Sequence, residues 1–224
     1  MVGHRLPSMD VISHWFWGMA VTHGKIKGRF SGAMGVIPDL MAFLPVMIIS
    51  LFTGHRNPTV DDTTVTADFH PLSWEIYQWS HSSITVIVLF FATWWYLAKF
   101  GTPSFLKGFY LATMSAKKQA FLIWLPWLLN IATDIPSHTA QFFPTPVFHP
   151  ISDWRYDGTR WSEPSIWFTN LGILLAVWAV MIYLERKRQT NDEIWYQVLP
   201  VLVWQYATKF IACGLTSGFV PIDS

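Results

Sequence analysis

The sequence predicts an all-α, polytopic membrane bundle of four to five spans, and three observations carry that prediction. Of 224 residues, 52% are hydrophobic and only 13% charged, whereas about a quarter of an ordinary soluble domain is charged. Apolar runs long enough to cross a hydrocarbon core recur along the chain. Clusters of Lys and Arg alternate with loops that carry the acids. This composition excludes disorder, and 15 Lys+Arg against 14 Asp+Glu give no electrostatic reason to expect a nucleic-acid partner.

The elements follow in order. Val11–Val21 (VISHWFWGMAV) has the apolar content of a signal-peptide core, but its His14 and the lack of a small-x-small site before Lys25 argue that it stays in the mature protein. Residues 33–53 form the first predicted span and carry Asp39 beside Pro38. Residues 80–100 form the second, reached through the polar turn YQWSHSS with His81. Residues 119–136 form the third, in which Asp134 follows the apolar run QAFLIWLPWLLNIAT. Pro164–Leu184, twenty-one residues without an acid or base, is the clearest span. Ile194–Cys213, interrupted by Gln197, Pro200, Gln205 and Lys209, is either a fifth span or a helix lying in the interface.

Lys25, Lys27 and Arg29, then Lys99, Lys107, Lys117 and Lys118, then Arg186, Lys187 and Arg188 mark the cytoplasmic side. The acidic loops 54–75 and 137–163 are therefore expected outside the cytoplasm, with the chain integral to the plasma (inner) membrane. No internal repeat or linker is visible, so residues 1–224 read as one domain, and the sequence is silent on oligomeric state.

Ionisable groups within apolar segments are costly, which makes His14, Asp39, His81 and Asp134 with His138 candidate site residues. If its helix runs through Pro136, Asn130, Asp134 and His138 lie along one stripe at i, i+4 and i+8. The lone Cys213 excludes an internal disulfide and a thiolate cage. Any metal must then be held by imidazole and carboxylate, and zinc with an open water position suits such ligands. Plainer readings stand beside these. His4, His55 and His70 read as packing residues; Asp39 after Pro38 suits the first turn of a helix, and Asp134 a stop at the membrane edge. Trp74, Trp79, Trp154 and Trp161 suit an interfacial aromatic belt.

The succession SHWFWGMAV, GAMGVIPDL, WSHS, and NIATDIPSH followed by FFPTPVFHPISDWRYDG resembles the membrane-bound metal-dependent hydrolases of the YdjM type, over about residues 8–160. Those are regarded as distant relatives of zinc-dependent phospholipase C and the S1/P1 nucleases. The resemblance implies a phospholipase C-like helical core. It also implies a metal-bound hydroxide that attacks a phosphodiester or ester bond, with a lipid as the substrate class. It places metal ligands at His14, Asp39, His81 and Asp134, with Asp39 or Asp134 as the catalytic base.

Where the family's His-x-x-x-Asp motif has histidine, this chain has Asn130. Either His138 takes over that role, or fewer metals are bound, or the enzyme has lapsed, and Asn130 is grouped with the substrate-binding residues. Arg155 in SDWRYDG is the candidate for holding a substrate phosphate, with a salt bridge to Asp153 or Asp157 as its alternative. The competing expectation is a non-enzymatic membrane protein, transporter-like or scaffolding, in which the same residues form an ion relay or a structural polar network. A simple single crossing of 33–53 sets Asp39 apart from His81 and Asp134. A helix started by Pro38, together with a long helix from near Pro71, would bring them level.

Overall fold

The computed structural model describes residues 9–54, 63–107, 113–161 and 163–188. The segment 194–213 with Cys213, and also His4 and His55, lie outside the described residues. Among the described residues there is no β-strand. The helices are α1 (Met9–Val21), α2 (Gly28–Thr53), α3 (Pro71–Ser80), α4 (Ser83–Phe100), α5 (Ser104–Lys107), α6 (Ala116–Ser137) and α7 (Pro164–Arg188). Four of them, α2, α4, α6 and α7, are long and apolar enough to cross a membrane, so the fold is the helical membrane bundle that the sequence predicts. The chain divides after Leu174 into two compact units. The first holds α1 to α6 and the start of α7; the second holds the rest of α7 to Arg188.

Three local expectations are corrected. Pro38 does not start a helix: α2 begins at Gly28, after an extended Lys27, and both Pro38 and Pro45 lie inside it. Asp39 is therefore a mid-helix residue and not a first-turn acid. A proline is tolerated inside a membrane helix when a neighbouring group meets the backbone near it, and here the Asn130 side chain of α6 donates to Gly35 O at 3.0 Å. Pro136 lies in the last turn of α6, which ends at Ser137, so Asn130 and Asp134 share the helix while His138 falls at its cap. The long helix expected from Pro71 is in fact two, because α3 stops at Ser80 and α4 starts at Ser83.

That break is held on every side. Trp127 Nε1 of α6 donates to Ser80 O at 2.7 Å. Ser82 caps α4 by accepting from Ile84 N at 3.2 Å, and its hydroxyl donates to His149 O at 2.6 Å. Ser83 sends both its N–H and its hydroxyl to Val147 O, at 2.9 and 2.6 Å. With its polar groups met by α6 and by the loop after it, the chain can turn at His81 without leaving an orphaned donor or acceptor.

Helix α6 is the centre of the first unit and packs against α1, α2 and α4. Its buried positions Gln119, Ile123, Trp127, Asn130 and Asp134 recur at three- and four-residue spacing, which is one face of a helix. Helix α2 shows how the solvent is divided. Gly35, Asp39, Ala42 and Val46 are buried, while Leu40, Leu44, Met47, Ile48 and Leu51 are exposed. A carboxylate turned inward and leucines turned outward invert the pattern of a soluble helix, and they match one whose outer face meets lipid. Polar bonds tie α7 to α1: Trp17 Nε1 donates to Asn170 Oδ1 at 2.8 Å, and Asn170 Nδ2 to Ser13 Oγ at 2.5 Å.

Helices α1 and α2 form a close antiparallel pair because glycines remove side chains where the backbones meet. A Cβ on Gly35 would lie 2.5 Å from His14 O, and one on Gly18 would lie 2.6 Å from Ser31 O. Small residues allow this approach between membrane helices. The consequence is functional, since Gly35 is one turn before Asp39 on α2 and its crossing point on α1 is His14 itself.

Beyond Asp39, α2 continues for about 20 Å, and the loops fold against that extension. Ala42, Phe43, Phe69, Trp74, Tyr77, Phe142 and Phe143 form an aromatic cluster there. Thr66 N donates to Gln141 O at 3.0 Å, and Thr66 Oγ1 accepts from Phe143 N at 2.6 Å. Arg160 donates to Thr64 O at 2.8 Å. The start of α3 is capped by His70, whose Nδ1 accepts from Leu72 N at 3.2 Å.

Gly35→Ala is expected to push α1 off α2 and to cost about 1–3 kcal/mol, the usual range for overpacking. Gly172→Ala, where a new Cβ meets nothing within 4 Å, is expected to be neutral or mildly stabilising. Thermal unfolding of both variants in the same detergent checks this.

Candidate metal centre

Four helix segments deliver the buried polar residues to one place. His14 comes from mid-α1, Asp39 from mid-α2, His81 from the break between α3 and α4, and Asp134 from the last turns of α6. Their exposures are 2%, 6%, 0% and 0%. His14 Nε2 lies 3.0 Å from Asp134 Oδ1. His81 Nε2 lies 3.3 Å from Asp39 Oδ1 and 3.3 Å from Asp134 Oδ2. One ligand atom each from His14, Asp39 and Asp134 falls within 4.8 Å of the other two, which is the spacing of groups that can hold a metal ion.

The outer hydrogen bonds orient the two rings. Thr133 Oγ1 lies 2.9 Å from Asn130 O and 3.0 Å from Leu129 O, so its single hydrogen goes to a helix carbonyl. Its oxygen, 3.3 Å from His14 Nδ1, then receives that ring N–H. Ser80 repeats the arrangement: its hydroxyl donates to Tyr77 O at 3.4 Å and its oxygen lies 2.9 Å from His81 Nδ1. Both imidazoles therefore turn Nε2 toward carboxylate oxygens, and His81 Nε2 is within hydrogen-bonding distance of Asp39 Oδ1.

Two buried carboxylates cost many kcal/mol unless their charge is met, either by imidazolium N–H groups or by a cation held between the ligand atoms. A divalent cation matches the two negative charges. Consistent with this, both oxygens of Asp134 are buried and neither accepts an aligned hydrogen bond, in spite of imidazole nitrogens at 3.0 and 3.3 Å. The residues present thus fit a metal held by nitrogen and oxygen ligands.

Asn130 has a different task from a ligand histidine. Its Nδ2 donates to Asp39 Oδ2 at 2.9 Å as well as to Gly35 O, so it holds the Asp39 carboxylate in orientation. It is 1% exposed. Its Oδ1 is buried and meets no protein donor.

His138 caps the end of α6, with Nδ1 3.2 Å from Asp134 O and 3.9 Å from Asp134 Oδ1. It borders the centre and stands outside the group of three. Arg155 stands apart as well, with its guanidinium over Trp74 and 3.9 Å from Asp153 Oδ1. Asp157 instead accepts from Ala140 N at 2.7 Å. Trp74 stacks on Tyr77 within the aromatic cluster. Asp134 is not a solvent-facing stop at a membrane edge, since it is wholly buried among His14, His81 and His138.

Three supporting residues were not singled out by the sequence. Thr133 and Ser80 hold the two imidazoles, and Tyr77 stacks on His81 with ring centroids 3.7 Å apart. Their one signal was adjacency: Thr133 precedes Asp134, Ser80 precedes His81, and Tyr77 is one turn before His81. No family model, no curated protein and no solved structure matches this chain. The class it defines on its own coordinates is a helical membrane protein with a buried His/Asp cluster able to hold a metal.

Asn130→Ala leaves Asp39 Oδ2 without its donor and is expected to cost about 1–3 kcal/mol, the penalty of an unsatisfied buried group. Asn130→Asp sets a carboxylate against Asp39, and its larger loss should be partly recovered when Zn²⁺ is added. Thermal unfolding of each variant with and without Zn²⁺ measures both effects.

Proposed function

We propose that this protein is a membrane-embedded, metal-dependent hydrolase acting on a phosphodiester or ester bond, with a lipid as its substrate class. One observation carries the reading: His14, Asp39 and Asp134 bring ligand atoms within 4.8 Å of one another in a buried site. The resemblance to hydrolases of the YdjM type supports it, and so do the lipid-facing helices that surround the site.

His14 Nε2 and a carboxylate oxygen from each of Asp39 and Asp134 would hold the cation. Three protein ligands of nitrogen and oxygen leave a fourth position open on zinc, the composition of a catalytic zinc site. Zinc bound there supplies Lewis acidity and brings the ionisation of a coordinated water to near neutral pH. The chain's own residues do the rest. Thr133 and Ser80 orient the imidazoles, and Asn130 orients Asp39. Asp39, the more accessible of the two carboxylates, is placed to take a proton from a water in the site. The aromatic cluster of the loops keeps bulk water away. The proposed setting is the plasma (inner) membrane, and the Lys and Arg distribution favours loops 54–75 and 137–163 on its non-cytoplasmic side.

Metal analysis of freshly purified protein in detergent tests the reading. The wild type is expected to carry zinc that Asp134→Ala and His14→Ala lose, and to hydrolyse a chromogenic phosphodiester in a chelator-sensitive way. Thr133→Val, which removes the partner of His14 Nδ1, should weaken zinc binding about 10- to 100-fold, the usual effect of removing a group that orients a ligand. Wild-type protein that is free of metal and gains none from added Zn²⁺ would sink the proposal and leave a structural polar network in its place.

A further inference from the structure

We infer a second recognition site, built by Arg155 and Trp74, that takes a phosphate group of the substrate other than the one at the scissile bond. It rests on the hydrolase reading above. The Arg155 guanidinium lies over the Trp74 ring at 5.0 Å from its centroid. Stacking on an aromatic face holds the guanidinium plane and leaves its edge of N–H donors for a planar or tetrahedral oxyanion. Nε of Arg155 is buried and has no hydrogen-bond partner. Its ion pair with Asp153 is loose, at 3.9 Å, and the Asp153 side chain is 97% exposed. The nearby Asp157 is committed to Ala140 N. A strong donor group is thus positioned, partly covered and under-used, which is how a residue waiting for an anion is built.

Its place along α3 sets what it can recognise. Trp74 stacks on Tyr77 with centroids 5.9 Å apart, and Tyr77 stacks on His81 at 3.7 Å. His81 in turn touches both carboxylates of the metal centre. From Trp74 to His81 is two helical turns, about 10 Å along the axis. Arg155 meets this column at Trp74, the ring farthest along it from His81, so its partner is a phosphate other than one cleaved at His14, Asp39 and Asp134. A substrate that meets both sites carries a phosphate separate from the bond to be broken.

The test uses the full chain in detergent with EDTA, and titrates inorganic phosphate by calorimetry. Wild type and Asp134→Asn are expected to bind it equally, because the site is independent of the metal. Arg155→Gln should bind about tenfold or more weakly, and Arg155→Lys should recover only part of the loss, since an ammonium lacks the guanidinium fork. Unchanged thermal unfolding of Arg155→Gln shows that the loss is local. Phosphate binding that Arg155→Gln leaves intact, or no binding to the wild type, overturns the inference. A loss in Asp134→Asn alone also overturns it and assigns the phosphate to the metal centre. In a second arm, mixed micelles containing phosphatidic acid are expected to displace inorganic phosphate from the wild type where phosphatidylcholine micelles do not. Absence of that displacement overturns a lipid headgroup as the source of the phosphate. Zinc retained by wild type while phosphate fails to bind would overturn this site and leave the hydrolase proposal standing.

Discussion

The structure of the first unit is organised by two carboxylates that have been taken out of water. Asp39 and Asp134 lie within reach of the same imidazole, each buried, and a pair of like charges in a low-dielectric interior is tolerated only where cationic or donor groups converge on it. The surrounding packing meets that demand. Glycines let α1 approach α2 so that His14 arrives at Asp134. The chain breaks at His81 so that one imidazole can touch both acids, and the freed backbone groups are met by Trp127, Ser82 and Ser83. Removing any of these devices would leave charge buried without an answer.

The loops extend the same logic outward. Phe142 and Phe143 pack against Phe69 and Tyr77, and Thr66 joins the loop before α3 to the loop after α6. The backbone of Gly158 and Thr159 clips onto His138 O and Pro136 O at the end of α6. Buried in this way, the centre is insulated from bulk water, which strengthens every electrostatic interaction inside it. The column of Trp74, Tyr77 and His81 links the outer loops to the centre through stacked rings, with Arg155 at its outer end.

Much of this was legible in the residues. Spans were readable because lipid imposes long runs without charge, and the predicted 80–100, 119–136 and 164–184 fall on α4, α6 and α7 within a few residues. His14, Asp39, His81 and Asp134 were readable as exceptions within such runs. What misled was proline. Pro38 suggests a helix boundary, yet it sits inside α2, because the rules for proline in water assume that no neighbour supplies the missing contacts. The topology argument that separated Asp39 from His81 and Asp134 failed for a different reason. It treated each segment as a full crossing with its acid near one end, whereas α2 starts earlier and continues far past Asp39.

By itself the sequence determined the solvent and the chemistry. Its low charge and apolar runs require lipid around the helices, and its single cysteine restricts any metal to imidazole and carboxylate. Tertiary structure alone decided which of those groups meet. His138 and Asp134 are one helical turn apart, yet His138 stays at the rim, while His14 arrives from 120 residues away to lie 3.0 Å from Asp134. Asn130, which reads as a poor ligand, became the donor that orients Asp39. The physical reason is that burial cost and ligand chemistry are properties of a residue and its immediate neighbours, whereas convergence on a point depends on how closely separate helices can approach. That approach was set by glycines on α1 and α2 and by a two-residue break after α3.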